Sequence, residues 1–157
     1  VQANRTLVLG IGNILLGDEG VGVHAVRALD GSRLPPDVQV MDGGTLSFTL
    51  AGPLADADRL IVVDAADLKA APATVRTYQG ADMDHFLGTH PCSSVHEVSL
   101  RDLMEITLLS GGIPEKRALV AIQPADLSMR DGLSEKVRAV LPQVHGRIQA
   151  LIEEWNA

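Results

Sequence analysis

The feature that most constrains this chain is the alternation of short apolar runs with helix-like segments. Thr6 to Ile11 (TLVLGI), Arg59 to Val63 (RLIVV) and Ala118 to Ile122 (ALVAI) are apolar almost throughout. Runs of this kind suit strands buried on both faces, as in a parallel sheet covered by helices. Asp37 to Met41 (DVQVM) supplies another short strand, and the alternating Ala73 to Tyr78 (ATVRTY) reads as an edge strand. Between them lie expected helices from Asp18 to Leu29 and from Leu46 to Ala57, the second broken near Pro53. Ser94-Val95-His96-Glu97 reads as a capping box opening a helix to about Leu109, stopped by Gly111, Gly112 and Pro114. A last helix from about Ser134 carries Val137, Leu141, Val144, Ile148 and Leu151 on one face, with a kink expected at Pro142. The pattern predicts an α/β fold, a mainly parallel sheet with helices on both faces, in which ligands bind beyond the carboxyl ends of the strands.

Composition agrees with that class. Hydrophobic residues make up 46% of the chain and aromatics only 3%, so the core must be aliphatic. The 157 residues suit one domain spanning 1–157. Thirteen basic against twenty acidic residues give a net charge of −7, which argues against nucleic-acid and anionic-membrane partners. Cys92 is the single cysteine, so no intrachain disulfide can form. No apolar run reaches the ~18 residues of a membrane span, and VQANRTLVLG lacks the apolar stretch of a secretory leader. A soluble, cytoplasmic, monomeric protein is expected.

The segment VLGIGNILLGDEGVG, Val8 to Gly22, looks like a phosphate-binding turn after a strand. Gly10 and Gly12 match the first two glycines of a dinucleotide fingerprint, but Leu15 holds the third position, where its bulk is expected to obstruct helix–strand packing. Asp42 stands where a ribose-binding acid would be expected. A bland reading is also available: Asp18 caps the helix and Glu19 complements its dipole.

More is expected at the same edge. Glu19 follows the first strand, Asp42 (in MDGGT) the second, Asp64 (in VVDA) ends the third, and His96 lies in the first turn of the helix after the edge strand. Two carboxylates and an imidazole make an open site for a divalent transition metal. A helix N-terminus would favour the neutral imidazole that binds metal. Singly, each has a structural alternative: Asp64 as acceptor for loop amides, His96 as a polar helix-end residue. Cys92 and His90 are close in sequence to His96, but one cysteine cannot make a structural zinc site of the usual kind.

These residues resemble the hydrogenase maturation endopeptidases. The resemblance is carried by VLGIGNILLGDEGVG with Glu19, MDGGT with Asp42, LIVVDA with Asp64, SVHEVSL with His96, and the later IQPADLSMRDGLS. It implies a three-layer α/β/α sandwich with a five-stranded twisted sheet whose fourth strand is an antiparallel edge. It implies an endopeptidase that removes a C-terminal extension from the nickel-loaded large-subunit precursor of a nickel–iron hydrogenase. Glu19, Asp64 and His96 would be the metal-contacting residues, the nickel being supplied by the precursor. Asp42 would lie in the neighbouring recognition region. The residues leave two roles open for the nickel, polarising the carbonyl or activating water, or serving as a recognition handle only with Glu19 or Asp42 as general base. Two rival functions are open: a nickel chaperone with the same ligands and no proteolysis, and a nucleotide-binding module built on Gly10, Gly12 and Asp42. A germination-type peptidase of the same fold is a third.

Overall fold

The computed structural model describes residues 4–29, 33–45, 48–89 and 99–157. Five strands, β1 (Thr6–Ile11), β2 (Val38–Gly44), β3 (Arg59–Ala65), β4 (Val75–Gln79) and β5 (Lys116–Ile122), form one sheet in the order β2-β1-β3-β5-β4. All neighbours are parallel except β4, which runs antiparallel to β5 at the edge. Every residue of β1 is buried, as are Arg59 to Val63 of β3 and Ala118 to Ile122 of β5. The apolar runs in the sequence are therefore the central strands. The alternating segment is the edge.

Because successive side chains point to opposite faces, each strand feeds two cores. Val8, Ile61, Val63, Val120 and Ile122 pack with α1 (Val21–Arg27), α5 (Glu135–Ala139) and α6 (Leu141–Asn156) through Val21, Val26, Val137, Val144 and Ile148. Leu7, Leu9, Leu60, Val62 and Leu119 pack on the other face with α2 (Ala51–Asp56), α3 (Ala81–Thr89) and α4 (Leu100–Ser110) through Leu54, Met83, Phe86 and Leu103. This is the three-layer sandwich.

The helices depart from expectation in instructive places. The expected 18–29 helix is a 3-10 turn, Gly17–Gly20, followed by α1, and neither is capped by a side chain. Pro53 does not break α2. It occupies the third position, within the first turn, where its missing N–H has no helical partner to lose. Pro142 likewise opens α6 rather than kinking one long helix, and α5 ends at Ala139. Helix α3 was not expected, although Met83, Phe86 and Leu87 carry helical spacing and bury its inner face. Helix α4 is opened by Ser99 and Asp102: the Asp102 amide donates to Ser99 Oγ at 3.0 Å and the Ser99 amide to Asp102 Oδ2 at 3.4 Å. The Ser94–Glu97 motif, His90, Cys92 and His96 lie outside the described residues. Two expectations about position do change. The helix that follows the edge strand is α3, and α4 begins after His96, because Ser99 is extended at φ −77°, ψ 156°.

Candidate active site

The strand order reverses between β1 and β3, so the crevice available to a ligand lies beyond their carboxyl ends. The glycines there bring backbone against backbone. A Cβ on Gly22 would stand 2.1 Å from the Val63 carbonyl oxygen and 2.5 Å from that of Ile11. A Cβ on Gly10 would stand 2.2 Å from the Gly22 oxygen. Helix α1 therefore sits directly on β1 and β3, and Gly22 performs the close packing that the fingerprint assigns to its third glycine. Leu15, at that third position, is instead 63% exposed in the loop and obstructs nothing. Gly12 (φ +140°) admits the Glu19 carbonyl, which a Cβ would meet at 2.0 Å. The space by which a dinucleotide fold approaches a pyrophosphate is here filled by the chain's own backbone.

Asp18 does not cap a helix. It is fully buried, and its carboxylate accepts from the amides of Ala125 (2.9 Å), Asp126 (2.9 Å) and Ser134 (2.8 Å) and from Ser134 Oγ (2.7 Å). Burial opposes its ionisation, but the Ser134 hydroxyl and these three amides outweigh it and hold its pKa below the ordinary value. The 3-10 turn after β1 is thereby tied to the segment that leaves β5.

Glu19, half-buried, lies in that turn, which packs against β3. Asp64, also half-buried, is the penultimate residue of β3, in register with Ala121 of β5. The register gives Asp64 the face shared with Leu119 and Ala121, the side covered by α3 and α4. Asp42 is placed differently. It pairs in register with Gly10, on the face covered by α1, and Arg27 Nε and Nη2 both reach its Oδ2, at 2.8 and 2.7 Å. Its Oδ1 accepts from the Gly44 amide at 2.9 Å. Two strand spacings separate Asp42 from Asp64, roughly 10 Å of sheet, and they face opposite ways. Glu19, in the turn after β1, and Asp64, near the end of β3, both stand at the carboxyl edge bordering the switch point, and Asp42, held by Arg27, lies on the α1 face two strands from Asp64. Among the described residues no three His, Cys, Asp or Glu side chains converge as a metal site.

Comparison with known proteins decides the family. The sequence matches the family described as hydrogenase maturation protease over residues 23–151. The chain belongs to this family. It is 36% identical over 152 residues to the hydrogenase 2 maturation protease of Escherichia coli K12, covering 96% of this chain and 92% of that one. It is 37% identical over 156 residues to the hydrogenase expression/formation protein HoxM of Azotobacter vinelandii, covering 98% of this chain and 75% of that one. Among solved structures it resembles the hydrogenase maturating endopeptidase HybD from E. coli, with a TM-score of 0.86 at 35% identity, over 96% of this chain and 93% of that one.

As a member of the hydrogenase maturation proteases, the chain is a peptide-bond hydrolase acting in hydrogenase maturation. Its geometry offers two carboxylates at the switch point, with the arginine-paired Asp42 to one side. His24 lies on α1 one turn beyond the 3-10 turn. Its Nε2 is buried and has no hydrogen-bond partner among the described residues. Burial foremost, then Arg27 and Arg138, keep its pKa low against the opposing pull of Asp131 and Asp42. Sequence reading missed the close-packing role of Gly22 and the clasp made by Asp18. The first had a signal, the G-V-G step after Glu19. The second had none, because its partners stand more than 100 residues away. No helix among the described residues is long and apolar enough to cross a membrane.

Proposed function

We propose that this protease removes the C-terminal extension of a nickel–iron hydrogenase large-subunit precursor after nickel has been inserted. It does so as a monomer in the cytoplasm. The observation that carries the reading is the packing of the Glu19 turn against the β3 end that bears Asp64, at the topological switch point of a chain in this family. The nickel belongs to the substrate and is held by the precursor's cysteines. Glu19, Asp64 and His96 complete its coordination on docking, two hard oxygen donors and one imidazole suited to a divalent transition metal. The bound ion fixes one peptide bond in reach of the carboxylates and polarises its carbonyl, so that selectivity needs no deep side-chain pocket.

Hydrolysis adds water across the scissile C–N bond. Glu19 takes the proton from that water through the carboxylate oxygen that does not meet the metal and hands it to the leaving amine. Asp42, engaged by Arg27 and facing α1, is a recognition element rather than the base. The nucleotide reading loses support because backbone fills the turn and Arg27 occupies Asp42. The chaperone reading shares the ligands and differs only in leaving the precursor's length unchanged. The test is processing by Glu19→Ala, Asp64→Ala and His96→Ala, followed by precursor mass. Each should lose activity by at least ~100-fold while melting within a few degrees of the parent. Full processing by all three would overturn the site.

A further inference from the structure

We propose that Leu15, Leu127 and Met129 form an apolar ridge on which the hydrogenase large-subunit precursor docks, beside the carboxylates that meet its metal. The inference rests on the function proposed above and adds the surface that holds the protein substrate.

The ridge is built where the exits of β1 and β5 meet. Leu16 and Arg130 form a parallel bridge: the Arg130 amide donates to the Leu15 carbonyl at 3.1 Å, and the Gly17 amide to that of Arg130 at 3.2 Å. The bridge lays the Leu15 backbone beside that of Arg130, one residue from Met129, and Leu127 lies two residues before Met129 on the same loop. They are 63% and 86% exposed, and Leu127 is 54% exposed. These are three of the five exposed large apolar side chains among the described residues. The Arg130–Asp126 ion pair at 3.2 Å gives the ridge a polar border, so that apolar centre and charged rim match the anatomy of a protein interface.

Two facts select the occupant. The same unit carries Glu19, four residues beyond Leu15, and Asp18 locks that unit to the β5 exit, so whatever sits on the ridge is registered against the metal-facing carboxylates. The family's substrate is a protein. The other exposed pair, Leu108 and Leu109, ends α4 and leads to the start of β5, at the far end of the sheet, and serves as control.

The test compares Leu15→Ser/Leu127→Ser/Met129→Ser and Leu108→Ser/Leu109→Ser with the parent enzyme in steady-state processing of nickel-loaded precursor. Loss of docking that does not change along the reaction raises KM and spares kcat. The ridge variant should show KM raised at least about tenfold with kcat within about twofold, and the α4 variant should match the parent. If the triple variant does not fold, Met129→Ser alone, at the most exposed position of the three, carries the test. Unchanged KM, an equal rise in the α4 variant, or a fall in kcat alone would overturn the ridge. So would unchanged KM with loss of a parental dimer in sedimentation, which would assign the surface to a second copy. Failure of the parent to process any precursor would instead count against the proposed function. The ridge is then read by precursor binding to parent and variant, and equal binding overturns it.

Discussion

Removal of the Asp18 carboxylate should be the most destabilising polar change available near the site. The group is fully buried and accepts four hydrogen bonds, three on Oδ2 and one on Oδ1. In Asp18→Ala the amides of Ala125, Asp126 and Ser134 lose their acceptor. Ser134 Oγ, which also accepts from Val137 at the start of α5, loses the group that orients it. Losing four hydrogen bonds to a buried carboxylate and leaving three buried amides without an acceptor costs about 3–5 kcal/mol, after the desolvation of the carboxylate is recovered. Asp18→Asn keeps one acceptor oxygen for the three-donor side but turns an amide N–H₂ toward the Ser134 N–H, so a smaller loss of about 2–3 kcal/mol is expected. Urea denaturation at pH 7 would show this as a lower midpoint at constant m value. Thermal melting should fall by roughly 6–20 °C for the alanine variant. The carboxyl also sets an acid limb. Its folded pKa lies below the ordinary 3.8, so its contribution is complete above the unfolded value and is lost as pH falls through the folded one. Asp18→Asn should lack that component. A loss below about 1 kcal/mol in Asp18→Ala would refute the idea that this clasp holds the loops together.

Two glycines should respond in opposite directions. Gly22→Ala drives a methyl to 2.1 Å from the Val63 oxygen and should cost at least ~3 kcal/mol, whereas Gly146→Ala, in the exposed middle of α6 with nothing within 4 Å, should gain about 0.5–1 kcal/mol. Thermal melts of both read the signs, and a tolerated Gly22→Ala would refute the close α1–sheet contact. The Arg27–Asp42 pair is half-exposed, so Arg27→Gln should cost less than about 1 kcal/mol in denaturant titration. With Glu19 as the proposed base and Asp42 held by Arg27, Asp42→Asn should keep at least about a tenth of kcat at saturating precursor. A variant dead at saturation would return the base role to Asp42.

The sheet was legible because its central strands are buried on both faces: TLVLGI, RLIVV and ALVAI need no partner to be recognised, and only their ends shifted. Helix boundaries were less legible where prolines were read as breakers. Pro53 and Pro142 instead sit in first turns, where proline is tolerated, a distinction that depends on where the preceding turn ends. Glu19 and Asp64 could be placed at one edge from strand order alone. The separation of Asp42 could not, because it depends on strand register and on an arginine 15 residues away. The glycine turn was half-read. Gly10 and Gly12 showed close approach, but what approaches is the chain's own α1 and Glu19 backbone, a tertiary fact no local pattern carries.

The most direct test of the central claim is the mass of a hydrogenase large-subunit precursor after incubation with this protein, in parallel nickel-loaded and nickel-free forms. The account predicts loss of a single C-terminal peptide from the nickel-loaded form and an intact nickel-free form. Equal cleavage of both forms would contradict a site that reads the substrate's metal through Glu19 and Asp64. An intact nickel-loaded precursor that nonetheless binds the protein would assign the same carboxylates to nickel handling without proteolysis.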